Sequence, residues 1–276
     1  MAEGAATTGL LPAAGGTPLL GPGDPPPFEV VNRDGSARAV LICDHAGRAI
    51  PRALGHLGLN EAALARHIAW DIGIAEVTRR LAKALDAVAV LAGYSRLVID
   101  CNRRLDDPTS IAQESDGVAV PGNRGLTAAD RARRAASCFA PYHAAVDAVI
   151  AGRRRAGIAP ALISMHSFTP VIAGRERPWH VGILWDRDPR LPEPLLAKLA
   201  ADPALCVGDN EPYTGRDHHG YSIYVHGHDL GLAHALIELR QDLIDTHHGA
   251  EEWARRLAGV LAEILADDGL YREQRT

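Results

Sequence analysis

The feature that most constrains this fold is a set of short, nearly unbroken apolar runs. They are too short for helices and suit strands covered on both faces. Ala39-Val40-Leu41-Ile42-Cys43, Val88-Ala89-Val90-Leu91, Leu97-Val98-Ile99, Ala161-Leu162-Ile163-Ser164-Met165, Val181-Gly182-Ile183-Leu184-Trp185 and Ala235-Leu236-Ile237 all read this way. Helical periodicity lies between them. Asn60 can cap a helix in which Leu64, Ile68, Ile72, Ala75 and Leu81 recur near helical spacing. Thr127 with Asp130 marks a capping-box variant for a second helix, which Pro141 should kink or break. Leu195–Leu199 reads as helix, and Trp253, Leu257, Val260, Leu261 and Ile264 define a closing one that stops near Gly269. Strands alternating with helices predict an α/β fold, a three-layer sandwich with a mixed, largely parallel sheet.

Composition removes several functional classes. Lys+Arg total 29 against Asp+Glu 34, a net charge of −5, so there is no basic excess to neutralise nucleic-acid phosphates. No apolar run approaches the roughly 20 residues of a membrane span. No secretory signal is visible, and Cys43, Cys101, Cys138 and Cys206 stand far apart without a Cys-x-x-Cys pair. That pattern suits a reducing cytoplasm rather than a disulfide scaffold or zinc ribbon. Met1–Pro27 holds six of the 18 prolines and reads as a flexible or loosely docked tail. Residues 28–276 then form a single domain. The 13 histidines are the unusual entry in the composition and direct attention to metal or acid–base chemistry.

Polar residues follow the apolar runs in a telling way. Cys43 leads into Asp44-His45, Cys101 into Asn102-Arg103, Met165 into His166-Ser167, and Ile237 into Glu238. In open α/β sheets the ligand crevice lies outside the carboxyl ends of the strands. Two histidines there, with a third ligand, suit a catalytic zinc that keeps a position open for water. Asp71 is the chosen third ligand, because Ile68, Trp70, Ile72 and Ile74 surround it and a carboxylate in poorly solvated surroundings needs a cation or donors. His67, one helical turn earlier, competes for the role. Glu238 among large apolar residues should have a raised pKa and suits a general base, or else a buried ion pair with an arginine such as Arg240. Arg96 or Arg175 is expected at the developing oxyanion, and Asn102 with Arg103 at a substrate carboxylate. The loop Gly208–Gly215 should reach the substrate with Tyr213, as a lid. His218, His219, His226 and His228 match no firm metal spacing.

Cys43-Asp44-His45-Ala46-Gly47 with Ile50-Pro51, Asp71, Ser95-Arg96-Leu97-Val98-Ile99-Asp100-Cys101-Asn102-Arg103, Ser164-Met165-His166-Ser167-Phe168, Asn210-Glu211-Pro212-Tyr213 and Glu238-Leu239-Arg240-Gln241-Asp242-Leu243 together resemble the N-formylglutamate amidohydrolase family, over roughly residues 38 to 245. The resemblance implies a zinc hydrolase fold akin to zinc carboxypeptidases. By that analogy His45, Asp71 and His166 hold one zinc, Glu238 is the base, and Asn102 and Arg103 hold a substrate carboxylate. One motif departs: family members best associated with formylglutamate carry Pro before the first His, where this chain has Cys43-Asp44. The expected activity is hydrolysis of a small N-acyl amino acid, with N-formyl-L-glutamate leading. Three other readings stand beside it: a metal-dependent amidase or peptidase on another carboxylate-bearing amide, a metal-free serine hydrolase using Ser164 or Ser167, and a non-catalytic carboxylate-binding protein that retains the fold. The expected partner is a small molecule, with neither nucleic acid nor membrane.

Overall fold

The computed structural model describes residues 18–217 and 220–272. In chain order the strands are β1 (Phe28–Val31), β2 (Ala39–Cys43), β3 (Val88–Ala92), β4 (Glu114–Ser115), β5 (Val118–Ala119), β6 (Ala161–Phe168), β7 (Val171–Ile172), β8 (Arg175–Glu176), β9 (Val181–Leu184), β10 (Val207–Asp209) and β11 (His234–Arg240). The α-helices are α1 (Glu61–Leu64), α2 (Ile74–Ala84), α3 (Ala128–Arg134), α4 (Ala140–Arg155), α5 (Pro192–Ala200), α6 (Tyr221–Ile223) and α7 (His247–Leu265). Seven strands form one sheet in the order β1-β3-β2-β6-β11-β9-β10. The central four (β3, β2, β6, β11) are parallel. β1 joins β3, and β9 joins β11, antiparallel. This is the mixed, three-layer α/β architecture that the apolar runs predict.

The two faces of the sheet divide by odd and even positions, as side-chain alternation along a strand requires. Leu41, Ile163, Met165, Ile183, Ala235 and Ile237 pack with α2, α5 and α7. Val40, Ile42, Val90 and Leu162 pack on the other face with Tyr142, Val146 and Ile150 of α4. On this second face the side chains turn polar toward the carboxyl ends of the parallel strands. Val40 and Ile42 lead to Asp44, Leu162 leads to Ser164 and His166, and Leu236 leads to Glu238, all of them buried. The rim of that face therefore carries the polar groups.

The capping expectations hold. Asn60 accepts from Ala63 N–H, and Thr127 and Asp130 form a capping box. Pro141 follows a π-helical turn at Ala135–Phe139 that separates α3 from α4. Two expectations fail for physical reasons. Leu97-Val98-Ile99 is buried but forms no strand, since burial in a loop packed on the sheet gives the same short apolar run. Its carbonyls are satisfied by side chains instead: Asn123 Nδ2 donates to Leu97 O (2.9 Å) and the buried Arg134 donates to Val98 O (3.0 Å). The expected helix from Asn60 to Leu81 is likewise two pieces. It breaks between α1 and α2, where Gly73 adopts φ 81° and a Cβ would meet Ile244 O at 2.2 Å.

Of Met1–Pro27, residues 18–27 lie against the domain. Leu19 is buried, Arg52 N–H donates to Asp24 Oδ1 (2.9 Å) and Tyr94 OH donates to Pro25 O (2.6 Å). The rest of that segment lies outside the described residues, as do His218 and His219. No helix among the described residues is long and apolar enough to cross a membrane.

Candidate metal centre

Three elements deliver the centre. His45 follows β2, His166 lies on β6, and Asp71 sits in the turn before α2, not on a helix as expected. Asp71 is anchored there by its own backbone N–H, which donates to His45 O (3.0 Å). His45, Asp71 and His166 are each at most 3% exposed. One ligand atom from each lies within 4.8 Å of the others, the geometry of a metal site. Asp71 Oδ2 stands 3.4 Å from His45 Nδ1 and 2.9 Å from His166 Nδ1. His45 Nδ1 is buried and makes no hydrogen bond, so the donor set converges on a point with an orphaned lone-pair position. His67 is not part of the group. Its Nε2 lies 3.5 Å from Asp116 instead.

Both opposite ring nitrogens are held by carboxylates. His45 Nε2 is 2.6 Å from Asp100 Oδ1, and His166 Nε2 is 3.1 Å from Asp44 Oδ2. Ligand histidines in metalloproteins are commonly oriented in this way. Asp44 in turn accepts from Ser222 Oγ (2.5 Å) and Tyr142 OH (2.9 Å). Sequence reasoning assigned Asp44 and Asp100 no role, although both stand inside the motifs it quoted. Their partners lie 122 and 55 residues away.

The field at the centre is strongly negative. Burial alone would pull the His166 pKa down, but Asp44 and Asp71 beside its two nitrogens push it up to about 10. Burial would raise the Asp71 and Asp100 carboxyls. The imidazoles, and for Asp100 also Arg96, hold both well below the usual carboxylate range. Two imidazoles and one carboxylate, with such surroundings, form a donor set suited to a divalent cation of the zinc type.

Glu238 pairs directly with His166 across the β11–β6 ladder, so both project from the same face. Its Oε2 is buried without a hydrogen-bond partner. Burial, followed by repulsion from Asp71, pushes its pKa up to about 7 against the pull of His166, His45 and Arg96. Arg240 turns away to Asp242 (2.8 Å), so the ion pair weighed for Glu238 does not form with it.

A cavity of about 240 Å³ opens over the centre and is lined by the three candidate ligands, Glu238, Arg96, Asn102, Arg103 and Tyr213. Arg96 is braced by Asp100 (2.7 Å) and stands 3.5 Å from Asp71. Asn102 accepts from Ser222 N–H through Oδ1 (3.0 Å), which leaves Nδ2 as its donor end. Arg175 is exposed on the β7–β8 hairpin and does not line this cavity. Arg177, two residues on, is buried and donates to Tyr213 OH (2.9 Å). Nothing in Gly174-Arg175-Glu176-Arg177 distinguishes the two arginines in advance.

The loop carrying Tyr213 is held through Asn210. Asn210 Oδ1 accepts from Trp185 N–H (3.1 Å) and Gly215 N–H (2.9 Å). Gly182 lets it close down, since a Cβ there would meet Glu211 O at 1.9 Å. His226 is buried away from the centre against His143, and His228 stacks on Tyr224. Ser167 Oγ donates to Ile72 O (2.9 Å) and Ser164 Oγ lies 3.5 Å from Asp44, so neither serine is hydrogen-bonded to a histidine base.

A sequence model described as N-formylglutamate amidohydrolase matches residues 37–245, three quarters of the chain. The chain belongs to the N-formylglutamate amidohydrolase family. Among solved structures it is similar to gene product Atu2144 from Agrobacterium tumefaciens, at 34% identity and a TM-score of 0.87, over 90% of this chain and 98% of that one. It is also similar in fold to N-formylglutamate amidohydrolase from Ralstonia eutropha JMP134, at 19% identity and a TM-score of 0.57, over 87% of this chain and 97% of that one. A comparison with curated proteins gives no match. Family membership makes the chain an amidohydrolase and points to a small-molecule amide as its class of substrate.

Proposed function

We propose that the protein hydrolyses the amide of a small N-acyl amino acid with the help of one divalent cation, zinc being the first choice, and that N-formyl-L-glutamate is the leading substrate. The observation that carries this reading is the convergence of His45, His166 and Asp71 opposite a buried, partnerless Glu238 oxygen. His45, His166 and Asp71 would hold the cation, which would supply Lewis acidity and acidify water there. Glu238 takes the proton of the attacking water and returns it to the leaving amine, a task suited to a carboxyl poised near 7. Asn102 Nδ2 and the Arg103 guanidinium hold the substrate carboxylate and so fix the amide over the centre. Arg96, held rigid by Asp100, presents positive charge toward the acyl oxygen. Tyr213, held by Arg177, closes the side of the cavity. Arg175 lies too far out on its hairpin to share in this.

The test is metal analysis of the purified protein joined to a formate-release screen over N-formyl amino acids. One equivalent of metal, formate release and loss of activity on chelation are expected. Full activity after metal removal would overturn the mechanism. Tight binding of acyl amino acids without product would leave only a carboxylate-binding protein.

A further inference from the structure

The cavity over the centre does not end at Arg96. A second and larger one, of about 410 Å³, opens on the far side of Arg96, Arg103 and Tyr213, and these three side chains line both. These three side chains stand between the two cavities and are held in place. Arg96 is tied to Asp100 (2.7 Å), and Tyr213 OH accepts from Arg177 (2.9 Å). The outer walls come largely from segments that stand apart from the central sheet. The β4–β5 hairpin supplies Glu114, Ser115 and Asp116, and the β7–β8 hairpin supplies Ile172 from the opposite side. His67, which the metal triad leaves out, also lines the outer cavity, and its Nε2 is buried without a hydrogen bond.

The lining states a chemistry. Asp100, Asp107, Glu114 and Asp116 line it together with Arg96, Arg103, Ile68 and Ile172; Asp100 is paired with Arg96 and His45, and Asp116 with Arg66, whereas Glu114 is exposed. A surface with many acceptors, few donors and short aliphatic stretches suits a peptide segment, whose N–H groups, carbonyl and side-chain methylenes meet each in turn.

We propose that the outer cavity is a second substrate subsite and that the substrate class is an N-acylated short peptide, its acylated residue over the metal centre and its next residue lying beyond Arg103 and Tyr213. The proposal rests on the amide hydrolysis proposed above. Water adds across the acyl C–N bond, the acyl carbon gains the hydroxyl and the peptide nitrogen gains the proton, so the products are a carboxylic acid and a free dipeptide amine. Glu114, exposed on the hairpin wall, favours a basic second residue over an acidic one.

The test compares kcat/KM for N-formyl-Glu, N-formyl-Glu-Lys and N-formyl-Glu-Glu on the metal-loaded protein and on Glu114→Lys, a change at an exposed hairpin position. The lysine dipeptide should exceed N-formyl-Glu by about tenfold or more, and Glu114→Lys should shift the preference toward N-formyl-Glu-Glu. Release of formate from N-formyl-Glu with no gain from either dipeptide would overturn the subsite while leaving the hydrolysis intact. Calorimetric binding of Glu-Lys against Glu gives a readout independent of turnover. If no substrate releases formate, tighter binding of Glu-Lys, weakened by Glu114→Lys, sinks the hydrolysis alone, and equal binding sinks the subsite as well.

Discussion

Among the described residues, two pairs of buried histidines are in contact, and they behave in opposite ways. His45 and His166 meet edge to face with ring centroids 4.9 Å apart, and His143 and His226 stack at 5.1 Å. In the first pair each Nε2 faces a carboxylate and each Nδ1 turns toward Asp71. In the second, His143 Nδ1 bonds directly to His226 Nε2 (2.8 Å), and His143 Nε2 donates to Cys101 O (2.9 Å). Phe139, Tyr142 and Tyr221 pack around His143, and Asp147 lies 3.0 Å from His226 Nδ1 with its side chain 65% exposed. His166 is pushed up to about 10, whereas burial, reinforced by His226, pulls His143 down to about 4. Burial is common to both pairs, so it does not make a metal site. Carboxylates behind the rings and a shared direction for the remaining nitrogens do.

The sharpest way to break this contrast is Asp71→Ala beside His143→Ala. The first should reduce bound metal to background in elemental analysis, and the second should leave the stoichiometry unchanged. Loss of metal from both would show that the second pair also serves the centre. Glu238→Gln should keep the metal and lower kcat by about 10²–10⁴-fold. Because the carboxylate is the active form, the acidic limb of the wild-type pH profile should lie near or below about 7 and vanish in that variant.

The second pair makes its own pH prediction. His143 has a folded pKa of about 4 against 6.5 for an ordinary imidazole, so the unfolded chain takes up the proton first as pH falls. Its contribution is full above about 6.5 and is lost progressively toward 4, roughly 3 kcal/mol in all. Denaturant titrations of wild type and His143→Phe should converge over that window. An unchanged difference would mean that His143 is not held neutral. The mildest effect belongs to the carboxylates behind the ligands. Asp44→Asn and Asp100→Asn should each weaken metal binding by about 10–100-fold in chelator competition, with the metal still bound at saturation.

What was legible in the sequence follows the range of the interactions. Strand positions, caps and the polar residues at strand ends are local patterns, and they led to His45, His166 and Glu238. Asp71 was legible because a carboxylate among isoleucines and a tryptophan is costly without a partner. Leu97–Ile99 misled because burial and sheet membership look alike in a short apolar run. The helix before Asp71 misled because the bend at Gly73 depends on Ile244, 171 residues further along the chain. Asp44 and Asp100 were hidden because their task is defined by an imidazole on another strand or turn.

The pairing of Glu238 with His166 on adjacent parallel strands has an evolutionary corollary. The distance between Glu238 and His166 is kept by the main-chain ladder rather than by neighbouring side chains. Substitutions along β6 and β11 can therefore accumulate without altering that distance. A single-residue insertion or deletion inside either strand would instead turn one of the two groups to the opposite face. The length of these two strands is therefore a stricter requirement of this fold than their composition.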